Sequence, residues 1–386
     1  MECINTQAVR AAVDFSVRLL QETYQSDNIL ISPVSLLTVL AMVQLGAKGD
    51  TKEEFDKIIG MDTLEVVELL RRLPMAEVEK KADGLWGKLA GDHRPTTINF
   101  ANALWLNDNG KVHFNPNYLH YGKALFHADV ETLPFDDAAC DTINQWANEK
   151  TKGQISHVVD SLSEDMVMFI ANALFFDGKW AEAYRPSDVK QRIFTNADGK
   201  ESLVDFMESE ESYYLHDYCA KGFIKKYCGG RYAFAALLPD KGVSLREYVG
   251  CLTGEKLQLI VGNPLKHKVK TRMPKISVDQ KVDLKEPLLK MGVRDAFDQN
   301  KADLSSIGTP GDTRDNLCVG NVWQINKIKV DEDGTQAVSF TGMDMMCLKS
   351  CVDSKLYQVY LDRPFLYMII DKETNLPLFM GTVDTL

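Results

Sequence analysis

The 386-residue chain predicts one large mixed α+β domain spanning 1–386. Three observations carry that expectation. Punctuated helical periodicity opens the chain, apolar or alternating strand-like runs dominate its second half, and no Gly/Ser/Pro-rich linker or internal repeat divides it. A length prior of roughly 150 residues per domain would favour two or three domains. The most loop-like stretch, Gly308 to Asn316, is too short to separate them.

The first helix is expected over about Thr6 to Thr23, with Val9, Ala12, Val13, Phe15, Val17, Leu19 and Leu20 on one face. A second is bounded by Ser32 as N-cap, Pro33 at the first helical position and Gly46 at the end. The 19 residues from Ile29 to Ala47 carry no charge, yet Ser32, Pro33, Ser35, Thr38 and Gln44 suit a buried helix better than a bilayer span. From Thr51 to about Gly91, charged amphipathic segments read as surface helices.

Met166 to Phe176 is almost continuously apolar, as expected of a central strand covered on both faces. Tyr232 to Leu238 repeats that pattern. Lys266, Lys268, Lys270 and Arg272 alternate, which reads as a solvated strand edge rather than a polyanion site. Phe365 to Ile370 and Leu376 to Met380 flank the polar turn Asp371 to Asn375, the pattern of a buried hairpin.

Composition is that of a soluble protein, 45% hydrophobic and 26% charged, with a formal charge of −11 that disfavours nucleic acid or an anionic membrane as partner. The N-terminus shows no apolar segment after a basic start, and there is no Asn-x-Ser/Thr sequon. Eight dispersed cysteines then read as free thiols in a reducing compartment. No nucleophile elbow, His-Glu-x-x-His helix or phosphate-binding Gly-rich loop occurs, so neither an enzyme nor a cofactor site is expected. The seven histidines are scattered, and Cys347 and Cys351 lack the second pair a structural zinc requires, so no metal is expected.

Lys327 to Pro364 is the most informative segment. Asp331, Glu332, Asp333 and Gly334 interrupt a strand, and Thr335, Ala337, Ser339 and Thr341 then follow at alternate positions. All four are small and uncharged, and they would share one face of a strand able to lie on a core. Gly342 to Ser354 is polar, sulfur-rich and unpatterned. On these residues alone, an edge strand followed by a surface loop accounts for the segment.

Here the chain resembles the serpins, on several motifs in order: ISPVSLLTVLAMVQLGAKGDT, ANALFFDGKW, MPKISVDQKVDLKEPLLKMGVRDAF, ADLSSI, DGTQA and RPFLYMIIDKETNLPLFMGTV. The resemblance implies three β-sheets, eight or nine helices and an exposed reactive-centre loop at about 332–354. It also implies a suicide-substrate mechanism. A protease attacks the loop, an acyl-enzyme forms, and the cleaved loop enters the large sheet as a new strand, dragging the protease with it. About twelve newly paired residues at roughly 1 kcal/mol net each would release on the order of 10 kcal/mol, which requires a metastable starting state.

Non-inhibitory serpins often carry a proline, charge or bulky group in the hinge. Here Thr335, Ala337, Ser339 and Thr341 are compatible with insertion, so an inhibitor is favoured. A binding, chaperone or storage role, or inhibition of a cysteine protease, remains the alternative. By position, Ser32, Ser35 and Asn172 match the family's polar cluster beneath the central strands, with Gln324 where the family usually has histidine. Trp180, Glu332 and Lys275 match the region where the loop enters, although Trp180 fits plain core equally well.

The family's scissile bond usually lies sixteen residues after the hinge glutamate, which gives Leu348 and Lys349, with Lys349 and Ser350 as the rival bond. Leu348 suits a chymotrypsin-like serine protease and Lys349 a trypsin-like one, while Met345 and Met346 are weaker candidates. A monomer is expected, in the cytoplasm, with export by a route lacking a signal, or a trimmed chain, as the alternative. Oxidation of Cys347 and Cys351 as a control on the loop is a further hypothesis, and no activation by heparin-like polyanions is expected.

Overall fold

The structure is a computed structural model that describes residues 6–73, 96–163, 165–311, 316–335 and 356–386. Helices come first: α1 (Thr6–Thr23), α2 (Pro33–Gly46), α3 (Gly49–Ile59) and α4 (Thr63–Arg72), with the short strand β1 (Leu30–Ile31) between the first two. Then follow β2 (Thr97–Asn107), β3 (Val112–Phe114), α5 (Pro116–Phe126), β4 (Asp129–Leu133), α6 (Asp137–Lys150) and β5 (Met168–Lys179).

The middle of the chain supplies β6 (Val189–Thr195), β7 (Glu201–Glu211), β8 (Tyr213–His216), β9 (Ala220–Lys226), β10 (Tyr232–Pro239), α7 (Leu245–Cys251) and α8 (Gly254–Gly262). Next come β11 (Val269–Pro274), β12 (Ile276–Asp283), α9 (Lys285–Met291), β13 (Gly308–Pro310), β14 (Trp323–Val330) and β15 (Gly334–Thr335). β16 (Tyr357–Tyr360), β17 (Phe365–Asp371) and β18 (Leu376–Val383) close the chain.

The expected helix boundaries hold for α1 and α2. Ser32 caps α2 by accepting from the Ser35 amide, and Pro33 stands at its first turn. Apolar nearly all round, α2 is buried rather than amphipathic. In contrast, α3 and α4 bury one face each, through Phe55, Ile58 and Ile59 and through Val66, Val67, Leu69 and Leu70. The rest of the segment read as surface helices, 74–91, lies outside the described residues.

Among the described residues the strands form three larger sheets and the pair β3–β13. One sheet has the order β1-β18-β17-β10-β9-β8, a second β16-β11-β7-β6, and the largest β12-β14-β15-β5-β2-β4. The hairpin β17–β18 and strand β10 are buried at every position, as their unbroken apolar runs require. Helix α6 covers β2 and β5, with Trp146 edge-on to Trp105 at 5.0 Å between ring centroids.

Two expectations need correction. The basic stripe is not a sheet edge: β11 lies between β7 and β16, Arg272 pairs with Glu208 across the ladder, and Lys268, just before β11, reaches Glu210. Alternation alone does not distinguish an edge from an interior strand with one solvated face. The other concerns β5, which is central but only half covered, with Met168, Ile170 and Leu174 partly exposed. Among the described residues, no ladder joins it directly to β14.

Candidate functional site

Strands β5 and β14 are joined in the sheet through β15. Val330 of β14 pairs with Thr335, while Gly334 and Thr335 pair with Lys179 and Gly178 of β5, all antiparallel. Gly334 has φ of 155°, and a Cβ there would run into the carbonyl oxygen of Gly178, so the approach of the two backbones demands glycine. Among the described residues no ladder joins β5 directly to β14. Alongside them instead lies a cavity of about 470 Å³, lined by Ser35, Phe169, Asn172, Trp323, Gln324 and Ile325 among others. A narrow 30 Å³ pocket shares Ile325 with it and reaches Thr335, Phe176 and Ile328.

Residues at the end of β5 grip the segment before β15. The amide of Trp180 donates to Asp333 O at 3.1 Å and its Nε1 to Asp331 O at 2.8 Å, while the amide of Tyr184 donates to Glu332 O at 3.0 Å. Trp180 is therefore both core, at 3% exposure, and a tether. It stacks on Tyr227 at 4.6 Å, and the Tyr227 and Thr335 hydroxyls share a 2.7 Å hydrogen bond. Outside this grip, Glu332 and Lys275 form an ion pair at 2.8 Å, each about one-third exposed. The Lys275 hydrogen bond and charge hold the Glu332 carboxyl below the usual range, against the opposing effect of burial.

The polar cluster lies further along the cavity. Ser35 Oγ bonds Asn172 Oδ1, and Asn172 Nδ2 donates to Asn102 Oδ1 at 2.7 Å. Gln324 binds the backbone of Ser32 twice, accepting from its amide at 2.7 Å and donating to its carbonyl at 2.9 Å. Asn326 joins by donating to Gln324 Oε1 and to Leu30 O, both at 2.9 Å. A glutamine can satisfy a donor and an acceptor at once, which is what this position demands.

Every described residue that the motifs singled out falls into one of these two groups. Glu332, Gly334, Thr335, Trp180 and Lys275 gather at the upper end of the gap, and Ser32, Ser35, Asn172 and Gln324 below. Ala337, Ser339, Thr341, Cys347, Leu348, Lys349, Ser350 and Cys351 lie outside the described residues. Sequence reasoning missed Asn102, Asn326 and Tyr227. The signal for Asn326 was its spacing of two from Gln324, which puts both on one face of β14.

Among the described residues, a large sheet in which β15 joins β14 to β5 at one end, with a cavity alongside, frames both groups. A family model described as Serpin (serine protease inhibitor) matches residues 10–385, and the chain belongs to the serpin family. It is similar to the leukocyte elastase inhibitor of Xenopus laevis, 29% identical over 99% of each chain. With the human glia-derived nexin it shares 28% identity over 93% of this chain and 87% of the relative. The native form of the thermophilic serpin tengpin overlays with a TM-score of 0.88 at 31% identity, covering 100% of this chain and 96% of that one. Its latent form scores 0.84 at 29% identity, covering 100% and 99%. Serpins as a group inhibit proteases rather than act as enzymes, and target proteases are their partners, although some members inhibit nothing. No helix among the described residues is long and apolar enough to cross a membrane.

Proposed function

We propose that this chain is a single-domain suicide-substrate inhibitor of serine endopeptidases, which traps the acyl-enzyme by taking its cleaved loop into the large sheet. The observation that carries the reading is the seating of Gly334 and Thr335 between β14 and β5, with the cavity continuing in the direction a longer strand would take. Extending both pairings in register sets Ala337 between Phe176 and Ile328 and Ser339 between Leu174 and Asn326. Thr341 then falls between Asn172 and Gln324. Thr335 points inward onto Tyr227, so these three would point inward as well. The small uncharged set therefore meets the core, and its last hydroxyl meets the polar cluster, where unpaired donors and acceptors would otherwise be costly.

Glu332 and Gly334 act on this reading as the hinge, and Ser32, Ser35, Asn172, Trp180, Lys275 and Gln324 as controls on opening. The target is a chymotrypsin-like serine protease at Leu348–Lys349, with a trypsin-like one at Lys349–Ser350 as second choice. A cytoplasmic setting accords with the eight cysteines and the missing sequon. Nicking the loop with a panel of proteases, locating the cut by mass spectrometry and melting the product tests the proposal. A cleaved form that melts well above the intact one, together with a covalent protease complex, is the expected result. A cleaved form that melts no higher cannot be inserting its loop.

A further inference from the structure

Lys225 lies in β9 after the buried Phe223 and Ile224, and it is 2% exposed, whereas Lys221 and Lys226 of the same strand are only partly buried. Its ammonium is 2.8 Å from Glu211, whose side chain is 12% exposed. It also stands 4.3 Å from the centroid of the Tyr184 ring and 5.4 Å from that of Trp180. Tyr184 and Trp180 are the two residues whose amides hold Glu332 and Asp333. Beyond the cation, Glu211 accepts from Ser209 at 2.7 Å, and the Ser209 and Thr271 hydroxyls share a 2.9 Å hydrogen bond. Thr271 pairs in register with Val359 of β16, the strand to which the chain returns after the loop.

A continuous chain of contacts thus runs from Thr335 through Tyr227, Trp180, Lys225, Glu211 and Ser209 to β11. We propose that Lys225 is a positioning residue that ties the two attachments of the reactive-centre loop together. Its ammonium steadies the aromatic grip on residues 331–333, and its carboxylate partner steadies the strand that holds β16. The role in inhibition rests on the insertion reading above, whereas the tie itself does not. Lys275 and Glu332, about one-third exposed, reach only the first attachment. The buried pair reaches both.

Hydrogen exchange of the intact chain, read by mass spectrometry over residues 331–335 and 357–360, tests this without any protease. Lys225→Met alone strands a buried carboxylate and risks misfolding. The paired variant Lys225→Met/Glu211→Leu removes both charges, a change that buried ion pairs often tolerate. In the paired variant both segments should exchange about tenfold faster, while the β17–β18 hairpin keeps its wild-type protection. Lys275→Met should accelerate 331–335 only. Trp180 emission should shift in the paired variant as the ring loses its cation. Unchanged exchange at either segment, or a rise matched by the hairpin, overturns the proposal. Failure of the inhibitory reading would show separately, as a cleaved wild type that gains no heat stability.

Discussion

Leu348 stands sixteen residues beyond Glu332 and sixteen before Pro364, so only the hinge side fixes its register. A large apolar side chain in a protease specificity pocket contributes about 1–3 kcal/mol to discrimination. Leu348→Ala should therefore slow inhibition of chymotrypsin-like proteases by roughly tenfold or more, while Lys349→Ala leaves it nearly unchanged. Second-order inhibition rates decide the register, and the opposite pattern moves the bond to Lys349–Ser350. Asp384 supports a second prediction. Buried at 2% exposure, it accepts from Tyr24 Oη at 2.6 Å through one oxygen, and its other oxygen has no partner. Burial raises its pKa above the unfolded value. A raised carboxyl stabilises the fold while protonated and loses that contribution as pH climbs through the folded value. Asp384→Asn should thus raise Tm relative to wild type more at pH 7 than at pH 4, read from melts across that range. An equal shift at both would show that charge burial is not the cause.

Ser339 is expected to occupy the inward side of the inserting strand between Leu174 and Asn326, where an unpaired charge costs several kcal/mol. Ser339→Arg should leave the loop cleavable, abolish the covalent complex and remove the rise in melting temperature on cleavage. An intact rise would place Ser339 on the outward face. Helices α1 and α2 and the hairpin β17–β18 were legible, because each follows from local spacing or capping. Less local facts were not. The interior place of β11 depends on β7 and β16, which come from distant parts of the chain, and a basic stripe reads the same in either setting. Met166 to Phe176 spelled a fully covered strand, whereas β5 is only half buried and no ladder joins it directly to β14 among the described residues. Nothing in the sequence distinguished Lys225 from its neighbours Lys221 and Lys226, and its partner Glu211 belongs to another sheet.

The molecule as a whole carries a formal charge of −11, and Lys268 and Arg272 of its basic stripe are paired with its own carboxylates. Lys268 meets Glu210 at 2.6 Å, and Arg272, Lys190 and Arg192 converge on Glu208 at 2.9, 2.9 and 3.3 Å. Their hydrogen bonds and charges, led by Lys190, hold the Glu208 carboxyl below its ordinary range. A heparin-like polyanion would have to displace these partners, so adding one should change the inhibition rate by no more than about twofold at physiological salt. A strong acceleration would reveal a basic surface elsewhere. The seating of β15 also bears on timing. New strand pairing ordinarily waits on loop closure, whose entropy must be met before any contact rewards it. Here Gly334 and Thr335 already pair with β5 and β14, so on the insertion reading a released chain end would extend an existing ladder rung after rung. Such growth would skip the closure step, and in a contest with water for the acyl bond that head start would favour the proposed trap.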